Sequence, residues 1–399
     1  MTHTPEGWLD PERDDVRVPS ELKVNRADLD EFGRQLLGEP LVAQRLITSG
    51  AVVLDVGDGA TQSILELWGH TLASRVAALL PPPANSTSSA ERRARRKYQV
   101  LLLTGQASWP DLASTTNTAF LICSDNQPPE IGLPVHLYPS QLPEGLLEYE
   151  EFYQLLDLLM RTVSPAVAPA WMSSRAGLRE ALATIVAETF KNTHDHARQE
   201  VNQSDVAHSL RGLYVRYYAL GEIALLAEDR KGKEISPALR FARGFLPKTS
   251  PPGMRLPATV PVEGVLEISV FDSGPGMAAK WLQRNVEGVA IQNQFDAVMS
   301  CFAKGRTTTG TQGRGYGLAK VLMKLKELHG FIGVRTNQLH VFRQFGWATD
   351  TAHNELDDGT RIPKAKLFDW KRNLVPLASE RAAVKGTVVS FLIPMGGHR

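Results

Sequence analysis

The chain has only two cysteines, Cys123 and Cys301, no long apolar run and almost no net charge. Two cysteines supply neither a disulfide framework nor a cysteine zinc site. No apolar stretch approaches the ~20 residues that a membrane helix needs. The N-terminal residues lack the charged-then-apolar layout of a signal peptide. Lys and Arg total 44 against 43 Asp and Glu, so the chain is not built mainly to neutralise nucleic-acid phosphates. Together these absences predict a reduced, cytoplasmic, soluble protein. What remains is ordinary: 399 residues, 43% hydrophobic and 22% charged, suggest a globular chain of about two domains.

Residues 1–20 are polar, charged and proline-containing, and read as a loose leader. Residues 27–49 carry apolar positions at helical spacing, and 51–55 form a short apolar run before a glycine pair, the pattern of a buried strand. A helix is expected over 62–80, stopped by Pro81, Pro82 and Pro83. Residues 98–103 and 119–123 read as further buried strands. Residues 21–143 are therefore expected to form a small α/β domain with a regulatory or interaction role. A connecting helix and linker follow over 144–171, then a second domain over 172–399. The one dense positive run is Arg92, Arg93, Arg95, Arg96 and Lys97. It is the only place where the sequence offers contact with nucleic acid or an anionic surface; the simpler reading is a solvated face.

Three constellations in the C-terminal half carry chemistry. On a long helical pattern from about Ser173 to Arg198, Glu188, Asn192 and His196 fall at i, i+4 and i+8 and share one face. That face begins with Ala181 and Ile185, so the polar trio continues a stripe expected to point inward, where polar groups need partners. In the second constellation, Leu266, Ile268 and Val270 mark the core face of a strand. Asp272 shares their parity and should lie at the strand's interior end, followed by Gly274, Gly276 and Met277 at a sharp turn. In the third, Gly310, Gly313, Gly315 and Gly317 precede a helix over about 318–329, where exposed backbone N–H groups and the helix dipole favour anions. No strand and βαβ unit precede these glycines, and no Gly-Lys-Ser/Thr follows, so neither a dinucleotide fingerprint nor a Walker loop is present.

In order, these residues resemble the boxes of the GHKL superfamily, the ATP-binding fold of histidine kinases, gyrase-type topoisomerases, MutL and the large heat-shock chaperones. Glu188, Asn192, His196 and Ala197 resemble the asparagine box. Asp272, Gly274 and Gly276 resemble the first glycine box, and Gly313, Arg314, Gly315, Tyr316, Gly317 and Leu318 the second. Glu327 to Val334 is similar to the following helix end and strand, and Gly386 and Thr387 to the closing Gly-Thr strand. The resemblance implies a Bergerat-type α/β sandwich, a mixed sheet covered by helices, over 172–399. It implies ATP and Mg²⁺ as ligands. Asp272 would accept a hydrogen bond from the adenine amine, and Gly276 would admit the base close to the backbone. Asn192 would bind Mg²⁺, and Glu188 would orient or deprotonate the attacking water. Gly313, Gly315 and Gly317 would cradle the phosphates, and Thr387 would join the network around Asp272. Residues 277–312 would form a mobile lid, beginning at Met277, with Lys304 and Arg306 near the γ-phosphate.

Two stretches exceed a minimal domain of this kind: the region between Asn192 and Asp272, and an insertion over about 340–385 carrying Trp347 and Trp370. Either is a candidate partner surface. For histidine autophosphorylation the upstream candidates His3, His70 and His136 are poorly placed. The second domain that supplies a γ-phosphate lysine in gyrase and MutL is not expected after Arg399. The resemblance thus leaves three activities: a Mg²⁺-dependent ATPase switch signalling to a protein partner or within a homodimer, a protein kinase acting on a separate partner, or an ATP-binding scaffold with little turnover.

Overall fold

The structure, a computed structural model, describes residues 13, 15–20, 22–24, 29, 31, 33–54, 71–82, 89–107, 117–164, 176–246, 262–303, 317–345, 353–355, 361–363, 366–372 and 378–396. In chain order the elements are β1 (Leu22–Val24), α1 (Gly38–Ser49), β2 (Val52–Leu54), α2 (Leu72–Leu79), α3 (Ser89–Gly105), β3 (Thr118–Ser124), α4 (Pro129–Gly132), α5 (Glu151–Val163) and α6 (Ala176–His196). There follow β4 (Leu210–Ala219), α7 (Leu220–Asp229), α8 (Pro237–Arg243), β5 (Gly264–Asp272), α9 (Met277–Leu282), α10 (Ile291–Cys301), α11 (Gly317–Glu327), β6 (Phe331–Asn337), β7 (Leu339–Gln344), β8 (His353–Glu355), β9 (Arg361–Pro363), β10 (Phe368–Asp369) and β11 (Val384–Met395).

The fold is α/β, built on a seven-stranded sheet of order β10-β7-β6-β11-β5-β4-β3. Every neighbouring pair in it is antiparallel, so the expected mixed sheet is corrected to an antiparallel one. β1 and β2 form a separate parallel pair, and β8 and β9 a small hairpin. Among the described residues, no helix is long and apolar enough to cross a membrane.

Both faces of the sheet are covered. β5 explains why: Leu266, Ile268 and Val270 enter one core while Val265 and Phe271 enter the other. The front core is built from α5, α6, α9, α10 and α11 with the even-numbered side of β5. The back core collects Val42, Leu46 and Ile47 of α1, Ala73, Val76 and Ala77 of α2, and Ala238, Phe241 and Ala242 of α8. A sheet buried on both faces must pair any polar side chain it carries; on the back of β5, buried Glu267 accepts from Tyr218 Oη at 2.8 Å and from Ser269 Oγ at 3.0 Å.

Several elements differ from the sequence expectation. Residues 118–124, read as part of an N-terminal domain ending near Pro143, pair with β4 as the edge strand of the central sheet, with Thr118 opposite Arg216 and Ser124 opposite Leu210. The residues before and after 143 therefore share one sheet. Residues 98–103, read as a strand, lie in helix α3. Tyr98 and Leu103 are buried while Val100 and Leu101 are exposed, a spacing that follows the helix already set by residues 89–97. The expected insertion over 340–385 contributes β7 and β10 to the sheet, and Trp370 is buried against Phe331, Phe342 and His340. Trp347 lies outside the described residues. Of residues 277–312, assigned to a mobile lid, 277–303 hold α9 and α10, with Ala278, Phe295, Val298 and Phe302 in the front core, and 304–312 lie outside the described residues.

Candidate functional site

Helix α6 positions the first group. Its middle is buried on several sides, with Ala181, Leu182, Ile185, Val186 and Phe190 all fully enclosed between α5, α11 and the sheet. Glu188, Asn192 and His196 are half-buried rather than interior. An ionised carboxylate is costly to enclose without compensation, and Glu188 keeps contact with solvent. Its Oε1 accepts from Lys320 Nζ of α11 at 3.2 Å. Its Oε2 lies where a side chain on Gly317 would begin: a Cβ there would stand 2.6 Å away. Gly317 therefore lets the carboxylate rest against the first turn of α11. The Asn192 amide makes no hydrogen bond among the described residues, which leaves its oxygen available to a ligand.

Asp272 ends β5 on the front face, as its parity with Leu266, Ile268 and Val270 predicts. It is 7% exposed. Its Oδ1 accepts from the N–H groups of Gly274 at 2.9 Å and Thr387 at 3.2 Å, and Oδ2 has no partner among the described residues. Burial pushes its pKa up to about 6, against the pull of those two N–H groups and of Arg211, its ladder partner on β4. A ligand that donates to Oδ2 needs the ionised form, so its affinity should be level above pH ~7 and fall about tenfold per unit well below 6. Titrations across pH 5–8 check this. The stability effect runs the other way: the folded state holds this proton more tightly than the unfolded chain, whose value is near 3.8. The ligand-free fold should therefore gain stability from this group as pH falls from about 6 towards 4.

Past Asp272 the chain turns through glycines that admit close contacts. A Cβ on Gly274 would lie 2.7 Å from the Cα of Ala197, so the turn packs directly on the end of α6. Gly276 has φ +87°, and a Cβ there would lie 2.5 Å from the Asn337 amide. Asn337 and Thr336, at the end of β6, clamp this turn and are absent from the sequence reading. Asn337 donates to Pro275 O at 2.8 Å and accepts from Ala278 N at 3.1 Å. Thr336 Oγ1 accepts from Met277 N at 3.0 Å and meets Thr387 Oγ1 at 3.1 Å. A polar Thr-Asn pair at a strand end is common in turns, so nothing in the sequence singles it out.

Helix α6 thus touches both glycine segments, Gly274 beside Ala197 and Gly317 beside Glu188. Leu318 is half-buried against the front core. Lys304, Arg306, Gly313, Arg314, Gly315 and Tyr316 lie outside the described residues.

Behind the end of α6 sits a buried polar network that the sequence did not reveal. Arg211 forks onto Asp125 at 2.5 and 2.8 Å and donates to Tyr138 Oη at 3.0 Å. The Tyr138 hydroxyl meets His194 Nδ1 at 3.0 Å. Burial, with Arg211 and Arg198 nearby, takes the His194 pKa down to about 4, so the ring is neutral at pH 7. The network fixes the last turn of α6 against β3 and β4.

The basic run is only partly a solvated face. Arg92, Arg93, Arg96 and Lys97 are exposed. Arg95 turns inward and donates to Ala77 O, Ala78 O and Val52 O at 2.6, 3.2 and 3.1 Å, satisfying two carbonyls at the C-terminus of α2 and one of β2.

No family model, no curated protein and no solved structure matches the chain.

Proposed function

We propose that the protein binds ATP in the manner of the GHKL superfamily and hydrolyses it with Mg²⁺ to drive a conformational switch read by a protein partner or a second copy. The observation that carries this reading is Asp272: a buried carboxylate with one oxygen held by the backbone and the other without a partner among the described residues, beside a glycine turn pressed against α6. Such a carboxylate is unfavourable without a donor, and the adenine amine is the donor this reading supplies. Gly274, Gly276 and Met277 then flank the base, and Thr387 holds Asp272 in place. Gly313, Arg314, Gly315, Tyr316, Gly317 and Leu318 would border the phosphates, with Lys304 and Arg306 meeting the γ-phosphate.

The donor set suits Mg²⁺. A hard cation that keeps waters and phosphate oxygens needs only one or two protein oxygens, and the Asn192 amide, without a hydrogen bond among the described residues, offers one. The ion, when bound, would neutralise phosphate charge. Glu188, one turn before Asn192, is the candidate base for the attacking water. In fold terms the reading is a Bergerat-type sandwich over 172–399, with β3 and α5 extending its sheet and front core and α1 and α2 joining α8 in a helical layer behind. It is supported by the order of α6, β5, α11, β6 and β11 along the chain.

A second reading, a switch that holds ATP with little turnover, is favoured by the Glu188–Lys320 pair, which occupies the candidate base. Incubation of the purified protein with γ-labelled ATP separates the two. Steady release of labelled phosphate is the expected result. Bound ATP with no release supports the slow switch, and label transferred to a protein identifies a kinase.

A further inference from the structure

The geometry points to Gln44 of α1 as a positioning residue that keeps the Thr387 amide on Asp272, so that the N-terminal helix sets the affinity of the nucleotide site. The functional part of this inference rests on the ATP reading above; its structural part does not.

β11 breaks its ladder with β6 between Val384 and Thr387, leaving a bulge at Lys385 and Gly386. Gly386 has φ +69°, and a Cβ on it would stand 1.8 Å from the Asp272 carbonyl oxygen, so no other residue fits there without moving the end of β5. The Gly386 N–H donates to Gly274 O at 2.8 Å, and the next N–H, of Thr387, reaches Asp272 Oδ1 at 3.2 Å. The shape of the bulge therefore decides where the Thr387 amide points.

A bulge also strips backbone groups of their ladder partners, and buried groups of this kind need others. Helix α1 supplies them. The Gln44 amide nitrogen lies 3.0 Å from Arg335 O, 3.3 Å from Lys385 O and 3.4 Å from Gly386 O. Thr48, one turn on and on the same face, accepts from the Lys385 N–H at 3.0 Å and donates back to Gln44 O at 2.7 Å. Gln44 is only 1% exposed and sits among the buried apolar residues Val42, Ala43, Leu46 and Ile47. Packing alone would accept an apolar side chain there; the bulge carbonyls require a donor.

The test uses the full chain and three variants. Gln44→Met keeps the shape and removes the donor. Thr48→Val removes the acceptor for Lys385 and the hydroxyl's bond to Gln44 O but keeps the Gln44 donor, the milder lesion should Gln44→Met not fold. Ile47→Val, 3% exposed in the same helix, trims the back core without removing a hydrogen-bonding group. Amide exchange at Gly386 and Thr387 is followed without nucleotide, and ATP and GTP affinities are measured alongside thermal midpoints. Gln44→Met should speed exchange at these two amides about tenfold relative to the rest of β11, weaken ATP about tenfold and reduce its preference over GTP. Thr48→Val should do the same to a smaller degree. Ile47→Val should lower the midpoint and leave local exchange and base preference alone. Unchanged local exchange in Gln44→Met and Thr48→Val overturns the inference, as does a loss of affinity that Ile47→Val reproduces at equal destabilisation. If the wild-type chain binds no ATP, the nucleotide reading fails, and local exchange alone decides whether α1 holds the bulge.

Discussion

Replacing Glu188 with glutamine is expected to slow ATP hydrolysis about 10²–10⁴-fold while ATP still binds, the usual contribution of a general base. Glutamine keeps the length of the side chain and its contact with the first turn of α11, but it cannot take a proton. The Glu188–Lys320 pair does not weaken this expectation. Lys320 is 51% exposed and Glu188 23%, and exposed pairs of this kind contribute about 0–1 kcal/mol. In the ATP reading proposed above, the γ-phosphate would draw Lys320 away at little cost and leave Glu188 to act. Single-turnover hydrolysis beside equilibrium ATP binding checks both halves of the expectation. Wild-type turnover in Glu188→Gln would assign the residue to the α6–α11 contact instead.

The second large effect belongs to Asp272. Asp272→Ala removes a charged acceptor, a loss of about 1.5–3 kcal/mol, or roughly ten- to a hundredfold in ATP affinity. It also strips the Gly274 and Thr387 N–H groups of their acceptor, so the turn loosens with it. Asp272→Asn is the cleaner variant. Its amide oxygen can still accept both backbone bonds, while its NH₂ group replaces Oδ2 and faces the adenine amine donor to donor. Adenine should therefore lose as much as with alanine, while a base with a carbonyl oxygen at that position should lose less.

How much of this was legible beforehand depends on the residue. Asp272 was legible because strand alternation has a period of two: once Leu266, Ile268 and Val270 define a face, the residue two further on must share it. The helical spacing of Glu188 and Asn192 was legible for a similar reason, but their depth was not, since a helix face shows direction and not what packs against it. The strand read into residues 98–103 failed because a short apolar run looks alike in a strand and in one side of a helix. The pairing of Thr118–Ser124 with Leu210–Ala219 spans a long stretch of chain and leaves no local trace. Nor do Asn337, Thr336 and Gln44, whose importance comes from backbone groups that only the folded chain brings to them.

The claim that Asp272 anchors an adenine nucleotide is tested most directly by titration calorimetry of the wild-type chain and Asp272→Asn with ATP and with GTP, in Mg²⁺ at a pH about one unit above the Asp272 pKa. The wild-type chain should bind ATP in preference to GTP, and Asp272→Asn should lose roughly ten- to a hundredfold for ATP, with the preference narrowed or reversed. Equal ATP affinity in the two proteins, or a wild-type chain with no preference for adenine, would contradict the account.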